Sequence, residues 1–312
     1  MRLGVNFPNF GTDVPPKEAK AIVRRIEQAG LDTLWFSDHV IIPLQRGSPY
    51  LTNRTGVSPL QESYWYESVS MMAFFAGATD RLRMAVSVIV LPQRNPVLLA
   101  KQLATIDNIS GGRLTVGVGI GWMREEFQAL AAPFEHRGAR SDEYLQLMKA
   151  LWTQDAPSFN GKYYTLATVN FLPKPAQKPH PPILIGGHSE AAKRRVMKHG
   201  DGWVTSGLSP EAMRPQIEEM KRLAKEHQRD FKTVTLCAKN IVSVLKPGEP
   251  HPGNPPGEDW RLAGTPSQIK DTLRQFQDMG VQEVGFRFRI KTWQEYQREV
   301  DRFLEAVPAI KL

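Results

Sequence analysis

The segment from residue 82 to 122 constrains the fold more than any other part of the chain. It holds two apolar runs rich in β-branched residues, at 84–91 and 114–120, with a stretch of helical length between them. Asn95-Pro96 is typical of a helix start, because proline at the first helical position has no N–H to leave unbonded, and Gly111-Gly112 is typical of a helix end. Both runs are apolar throughout, as in parallel strands covered on both faces. The segment therefore predicts a strand, a helix and a parallel strand.

The same order of strand and helix recurs through the chain. Apolar runs predict eight strands, over residues 2–7, 33–36, 84–91, 114–120, 183–185, 202–205, 233–244 and 283–289. Eight strands that alternate with helices in 312 residues predict an α/β fold, the (β/α)8 TIM barrel. A doubly wound open sheet is the alternative, since residues 117–121 (GVGIG) resemble a dinucleotide-binding loop. Their spacing is GxGxG, however, and they lie at the fourth strand rather than the first.

Three longer segments interrupt this alternation and predict insertions after strands two, four and seven. They cover residues 40–63, 153–182 and 245–260, and each is rich in proline or in turn-forming residues. Within the second, the sequence SFNGKYYTL predicts a hairpin that turns at Asn160-Gly161.

Composition narrows the class of partner. The formal net charge of +8 favours anionic partners, but no basic and aromatic pattern of a nucleic-acid module is present, so we expect a small anionic molecule. No apolar run approaches the ~20 residues of a membrane helix, and the chain starts directly as a strand, so we expect a cytoplasmic protein without membrane contact. The single cysteine, Cys237, lies in a strand-like run and excludes an internal disulfide and a cysteine metal cluster.

In a TIM barrel the active site is built from the loops that follow the strands. Gly186-Gly187 and residues 205–207 (TSG) follow neighbouring strands, and Ser189 would open a helix whose N-terminus favours an anion. We therefore expect a phosphate there, with an ordinary tight turn as the alternative. This position is unusual, because barrels more often bind phosphate after strands seven and eight.

Two further groups of polar residues follow strands. Asp38-His39 follows the second strand and has the composition of a proton-transfer pair, although the aspartate could merely cap the loop beside a structural histidine. Nothing like HExxH accompanies them, so we expect no metal site. Arg287 and Arg289 alternate with apolar residues in the eighth strand, which directs them either to an anion in the lumen or to a solvated rim.

These residues carry a resemblance to a known family. The chain is similar to members of the bacterial luciferase-like monooxygenase superfamily, in the branch of coenzyme F420-dependent oxidoreductases. The resemblance covers nearly the whole chain, through the segments RLGVNFPNFG, WFSDHVIIP, SVIVLPQRNPVLLAKQLATIDNISGGRLTVGVGIGWMREEF, RGARSDEY, KPHPPILIGGHSEAAKRR and GDGWVTSG.

The resemblance implies one luciferase-like barrel domain over residues 1–312, a homodimer, and a cofactor that is F420 or, alternatively, FMN. It implies that His39 is the acid/base or an orienting group and that Asp38 contacts the cofactor ring. Ser87-Val88 would match the family's non-prolyl cis peptide behind that ring. The implied cofactor-binding residues are Asn6, Asp38, Ser87, Val88, Val90, Ile120, Gly121, Gly186, Gly187, His188, Thr205, Ser206 and Gly207.

Trp122 and Arg287 are expected in the substrate pocket. The resemblance also points to a departure, because sugar-phosphate dehydrogenases of the family carry a glutamate where this chain has Trp122. We therefore expect a small hydrophobic or aromatic substrate.

Three functions remain open from the sequence. The leading prediction is hydride transfer between F420 and the substrate, with the chemistry supplied by the cofactor. The alternative enzyme is an FMN-dependent monooxygenase, and either enzyme could depend on a flavin or F420 reductase as partner. The third is a binding barrel that has lost catalysis, against which the phosphate loops and Asp38-His39 argue.

Overall fold

A closed ring of eight parallel strands forms the centre of the protein, in a computed structural model that describes residues 1–44, 47–48, 64–254 and 260–312. In order around the ring the strands are β1 (Arg2–Asn6), β2 (Thr33–Phe36), β3 (Arg83–Val90), β4 (Leu114–Gly119), β7 (Ile183–Gly186), β8 (Gly202–Ser206), β9 (Thr235–Val244) and β11 (Glu283–Arg287).

Two pairings of β9 close the ring. It pairs with β8 from Gly202 opposite Thr235, and with β11 from Glu283 opposite Cys237. Since β11 in turn pairs with β1, the ring of eight strands is closed. The predicted (β/α)8 TIM barrel is confirmed, and the open-sheet alternative is wrong.

Helices surround the ring, and several begin where the sequence predicts. In the described residues they are α1 (Pro16–Gln28), α2 (Ser68–Ala76), α3 (Pro96–Ile109), α4 (Arg124–Ala129), α5 (Arg137–Thr153), α6 (Glu190–His199), α7 (Pro210–Glu226), α8 (Pro266–Asp278) and α9 (Trp293–Ile310). Asn95 caps α3 by accepting hydrogen bonds from the Val97 and Leu98 amides. Thr265 and Gln268 form a capping box at the start of α8, because each side chain bonds the other's backbone.

The three insertions differ in how much of them is described. In the first, residues 45–46 and 49–63 lie outside the described residues, and in the third, residues 255–259 do. The second contains the predicted hairpin as the short strands β5 (Phe159–Asn160) and β6 (Thr165–Leu166). The third is followed by β10 (Arg261–Gly264), a strand that the sequence analysis did not predict. It extends the sheet beside the far end of the long strand β9.

The buried apolar side chains form two separate clusters. The larger core lies between the helices and the outer face of the strands. A smaller cluster of side chains fills the lumen, made of Trp35, Ala85, Leu184, Val204 and Cys237 with Val88 packed against it. Within the described ranges, no helix is both long and apolar enough to cross a membrane.

Trp35 fills the lumen because the neighbouring strand β1 and the next strand, β11, offer glycines opposite it. A Cβ atom on Gly4 would lie 2.6 Å from Trp35 Nε1, and one on Gly285 would lie 3.2 Å from it. The indole N–H donates to Glu283 Oε1 at 3.0 Å, and Arg2 Nε lies 3.0 Å from the other carboxylate oxygen. The lumen is therefore closed at this level, and the space toward the carboxyl ends of the strands lies above an indole floor.

We expect Gly4→Ala to destabilise the barrel, since the new methyl group would overlap the Trp35 indole. Overpacking of this kind lowers the free energy of unfolding by about 1 to 3 kcal/mol, which urea denaturation followed by tryptophan fluorescence would measure. Gly77→Ala is the matched control, because a Cβ there meets nothing closer than 3.9 Å. Equal stability of the two variants would contradict the conclusion that the Trp35 indole fills the space beside Gly4.

Candidate functional site

The carboxyl ends of the barrel strands bring most of the expected site residues to one mouth of the barrel. Val88 lies in this mouth, in the last part of β3, where the register with β4 shifts between Val86 and Ile89. The Ser87–Val88 peptide bond is cis, as the resemblance implied. A Cβ on Gly119 would lie 2.4 Å from one Val88 methyl carbon, and a Cβ on Gly186 would lie 2.5 Å from the other. The two glycines therefore make room for a half-buried valine that projects from the strand.

Asp38 is buried and ties the end of β2 to its neighbours. Its Oδ1 accepts from Ser68 Oγ at 2.7 Å and from Arg94 Nη2 at 2.8 Å. Its Oδ2 accepts from the Val90 amide at 2.9 Å, two residues after Val88. Three donors already bind this carboxylate. The arrangement suits a residue that supports the β3 bend, the irregular part of β3 between Val86 and Ile89. The expected contact of Asp38 with a cofactor ring stays a prediction.

His39 is oriented by a carboxylate that the sequence analysis did not single out. His39 Nδ1 lies 2.9 Å from Glu126 Oε2, and Glu126 is almost fully buried at the start of α4. The same carboxylate accepts from Gln93 Nε2 at 3.0 Å and from the Val40 amide at 2.7 Å. Because a carboxylate only accepts, it selects the form of the ring that carries a proton on Nδ1. Nε2 is then the atom available for proton transfer.

Burial alone would raise the pKa of Glu126. The hydrogen bonds from His39, Gln93 and the Val40 amide outweigh it, so the pKa lies below its usual value. Glu126 is therefore a stable anion at neutral pH. This anion faces His39 Nδ1 and fixes the orientation of the ring.

Two tryptophans border His39. Trp65 lies edge-on to the imidazole at 4.9 Å between ring centroids, and Trp122 lies edge-on at 6.2 Å. Trp65 also stacks on Phe10 at 4.7 Å, and its Nε1 is buried without a hydrogen-bond partner. The aromatic pocket wall predicted at Trp122 is consistent with this placement. Trp65 adds a second ring and a donor that a ligand could satisfy.

The glycine and hydroxyl loops after β7 and β8 are adjacent, as expected, but many of their polar groups bond each other. His188 Nε2 lies 2.6 Å from Thr205 Oγ1, and Trp203 Nε1 donates to the Gly187 carbonyl at 2.7 Å. The Gly207 amide donates to the Lys239 carbonyl at 2.9 Å. Ser206 is exposed at the end of β8. Phosphate binding by these loops stays a prediction, and the Gly207 amide is already used within the protein.

Ser189 lies beside these loops as the N-cap of α6, where its hydroxyl accepts from the Ala192 amide at 3.2 Å. The helix thus begins where the sequence predicted an anion site. Its first turn also contains Glu190, which pairs with Arg194 in the next turn.

Ile120 and Gly121 follow β4 on the side of Val90. Gly121 has a positive φ of 74°, and a Cβ there would lie 2.5 Å from a Val90 methyl carbon. Its carbonyl accepts from Arg137 Nε at 3.1 Å. These residues form the wall between the β3 bend and Trp122.

Asn6, at the end of β1, contacts a second residue that the sequence analysis missed. Lys239 lies in β9, and its Nζ donates to Asn6 Oδ1 at 2.8 Å. Lys239 is only 6% exposed, and its Nζ lies 4.9 Å from the centre of the Trp35 ring. Arg287, half-buried at the end of β11, is an electrostatic neighbour of this ammonium group.

Sequence signals for the two missed residues are present but weak. Glu126 is one of two adjacent glutamates in WMREEF, and nothing local distinguishes it from Glu125, which accepts from the amides of Gly47 and Ser48. Lys239 is a single lysine within the apolar run of β9. A charged residue in a strand that is buried on both faces is the signal that could have identified it.

We expect Glu126→Gln to destabilise the protein at neutral pH by about 1.5 to 3 kcal/mol, because a buried carboxylate with charge-assisted hydrogen bonds is lost. Since the folded-state pKa of Glu126 is lowered, its contribution is present above the unfolded value of 4.5 and disappears as the pH falls through the folded value. The difference from the wild type should therefore shrink in acid, which urea denaturation at pH 7 and pH 4 would measure.

The control for this variant is Glu135→Gln, which removes an exposed carboxylate paired with Arg124. It should leave stability unchanged at both pH values. If the difference in free energy of unfolding between Glu126→Gln and the wild type stays constant with pH, the ionised carboxylate is not what stabilises the fold.

Comparison with known proteins identifies the family. Residues 1–249 match the model of the luciferase-like monooxygenase family. An FMNH2-dependent dimethylsulfone monooxygenase of Pseudomonas putida is 39% identical over 228 residues, which cover 69% of this chain and 60% of that protein. The chain thus matches less than two thirds of that relative's length.

Solved structures share the fold. An F420-dependent secondary alcohol dehydrogenase in complex with an F420-acetone adduct superposes with a TM-score of 0.75 at 17% identity, covering 100% of this chain and 99% of that one. A long-chain alkane monooxygenase superposes with a TM-score of 0.75 at 16% identity, covering 99% and 91%. On the strength of the family match over 249 of its 312 residues, this chain belongs to the luciferase-like monooxygenases.

Proposed function

We propose that this protein is a flavin-dependent monooxygenase that acts on a small organic substrate, with reduced FMN supplied by a partner reductase. The observation that carries the proposal is the His39–Glu126 pair, which places an oriented acid/base group at the barrel mouth. The preference for FMN over F420 reverses the order expected from the sequence. It is supported by the 39% identity to a relative whose name specifies FMNH2.

The residues of the mouth fit a flat cofactor with an anionic tail. Val88 presents a half-buried aliphatic surface held between Gly119 and Gly186, which suits the face of a ring system. The N-terminus of α6 and the exposed Ser206 lie after the adjoining strands, where a phosphate group would be bound. Trp65 Nε1 is a buried donor without a partner and would donate a hydrogen bond to an acceptor of a ligand.

In this proposal each residue of the barrel mouth has a separate role. The residues of the mouth would hold reduced FMN, which would supply the electron pair for a reaction with O2 in which one oxygen atom enters the substrate and the other leaves as water. His39 Nε2 holds or accepts a proton beside the substrate, while Glu126 keeps the ring in one orientation. Asp38, fixed by Ser68 and Arg94, holds the Val90 amide and with it the bend of β3. Trp65 and Trp122 exclude water and favour an apolar substrate body.

F420-dependent hydride transfer is the second candidate. The formal net charge of +8 suits the long anionic tail of that coenzyme. The shared fold with an F420-dependent alcohol dehydrogenase is compatible with it but is found equally with monooxygenases. We further propose a single domain over residues 1–312, a homodimer and a cytoplasmic location.

Cofactor titration separates the two candidates. Reduced FMN and reduced F420 would be titrated anaerobically against the purified protein and followed by cofactor fluorescence. We expect saturable binding of reduced FMN, followed by O2 consumption when a flavin reductase and a substrate panel are added. Tight binding of F420 with none of FMN would overturn the choice of cofactor.

We expect His39→Ala to reduce kcat by about 10²- to 10⁴-fold, the usual loss when a general acid/base is removed. The dissociation constant of the preferred cofactor should stay unchanged, because the variant leaves Val88 and Asp38 in place. Replacing the exposed His251 by alanine is the matched control and should leave both quantities unchanged. Unchanged turnover of His39→Ala would remove this residue from the mechanism.

A further inference from the structure

We propose that Lys239 and Asn6 form a subsite for the oxyanion of a small organic acid, so that the substrate carries a carboxylate, sulfinate or sulfonate group. The identification of this ligand as the substrate rests on the proposed function. It adds an anionic head group to the apolar body that Trp65 and Trp122 favour.

The buried side chain of Lys239 has no ionic partner in the described part of the chain. Its ammonium group donates to the neutral amide oxygen of Asn6, and no carboxylate oxygen there lies within 4.0 Å of it. Glu283 is the acidic neighbour, but its two oxygens bond Trp35 and Arg2 below the indole. Since an ammonium group has three hydrogens to donate, two donor positions remain for a ligand.

The barrel makes space for this lysine at the axis. Lys239 pairs in register with Gly285 on β11 and with Ser206 on β8. A Cβ on Gly285 would lie 3.0 Å from Lys239 Cγ, so glycine there is what lets the side chain pass inward. The stem then crosses β11 to reach Asn6 on β1, above the face of Trp35. The ammonium group therefore lies on the floor of the mouth.

Asn6 lies at the end of β1, beside the end of β2 that leads to His39. It pairs in register with Trp35, four residues before His39 on the chain. An oxyanion on Lys239 would thus extend its organic body toward His39 and the two tryptophans. The expected phosphate site at α6 follows β7, on the other side of β8. Ser206, next to that site, is the register partner of Lys239, so the FMN titration described below tests whether the substrate subsite is distinct from the cofactor-tail site.

The groups around Lys239 make its charge depend on a ligand. The pKa of Lys239 is lowered to about 7, mainly by burial; the nearby Arg287 acts in the same direction, and Cys237 and Glu283 act in the opposite direction. Asn6 and Trp35, which contact the ammonium directly, do not titrate in this range. A bound anion favours the protonated lysine. Binding of an oxyanion at pH 8 should therefore draw close to one proton from solution, because at that pH the empty site is mostly neutral.

Methanesulfonate and dimethyl sulfone are matched probes, because they have nearly the same shape and differ in charge. Calorimetric titration in two buffers of different ionisation enthalpy measures both affinity and proton uptake. We expect methanesulfonate to bind at least tenfold more tightly than dimethyl sulfone, with proton uptake. Equal affinities, or binding without proton uptake, would overturn the proposal.

Two variants test whether methanesulfonate binds at Lys239 and Asn6. Lys239→Met should abolish methanesulfonate binding, and Asn6→Asp should weaken it at least tenfold by giving the lysine a carboxylate partner. Lys246→Met removes the same charge from an exposed position just beyond β9 and is the control that should bind as the wild type does. Unchanged binding by both Lys239→Met and Asn6→Asp would contradict the proposed site.

Reduced FMN and inorganic phosphate are titrated against the same proteins to separate the substrate subsite from the cofactor tail. We expect Lys239→Met to bind reduced FMN as the wild type does. A tenfold or greater loss of FMN affinity would assign the subsite to the cofactor phosphate and overturn the proposal. Binding of methanesulfonate without any binding of FMN would leave the subsite standing and contradict the proposed function.

Discussion

The position of the Trp35 indole across the lumen is the constraint on which the rest of the site depends. Glycines at positions 4 and 285 leave the space that it fills, and Glu283 fixes it by accepting its N–H. An indole at this height divides the barrel into a filled lower half and a mouth. Asn6 and Lys239 rest on its upper side, so their positions are set by the same packing that stabilises the closed sheet.

The other half of the mouth is organised by carboxylates rather than by apolar packing. Asp38 joins the ends of β2 and β3 to α2, through Ser68, and to Arg94. Glu126 joins His39 to Gln93 and to the chain after β2. Each carboxylate therefore has partners from several separate segments. Buried charges of this kind are stabilising only when their hydrogen bonds are complete, so the loops can adopt few other arrangements.

Much of the fold was predictable because its signals are local. Continuous apolar runs predicted all eight barrel strands to within a few residues, and Asn95-Pro96 marked the start of α3. The short strand β10 was missed, because four residues carry too little periodicity and its partner is the unusually long β9. Ring closure itself is not local, and it followed only from the count of alternating elements.

The site was predictable in part, for the same reason. Asp38, His39 and the Ser87-Val88 bend were found from strand ends and family resemblance. Glu126 was not, since it lies 87 residues from His39 along the chain and only folding brings the two to 2.9 Å. Cofactor binding by Gly186 stays a prediction, and the structure adds that Gly119 and Gly186 both make room for Val88. A sequence shows that a position must be small, but the neighbour that requires this is known only from the fold.

Glu126 holds both the proposed acid/base group and the start of the insertion after β2. One carboxylate orients His39 and also accepts from the amides of Val40 and Ile41, the first residues of the insertion after β2. The backbone at the start of this insertion and the imidazole therefore share one anchor, so a change that displaces either of them alters the hydrogen bonds of the other.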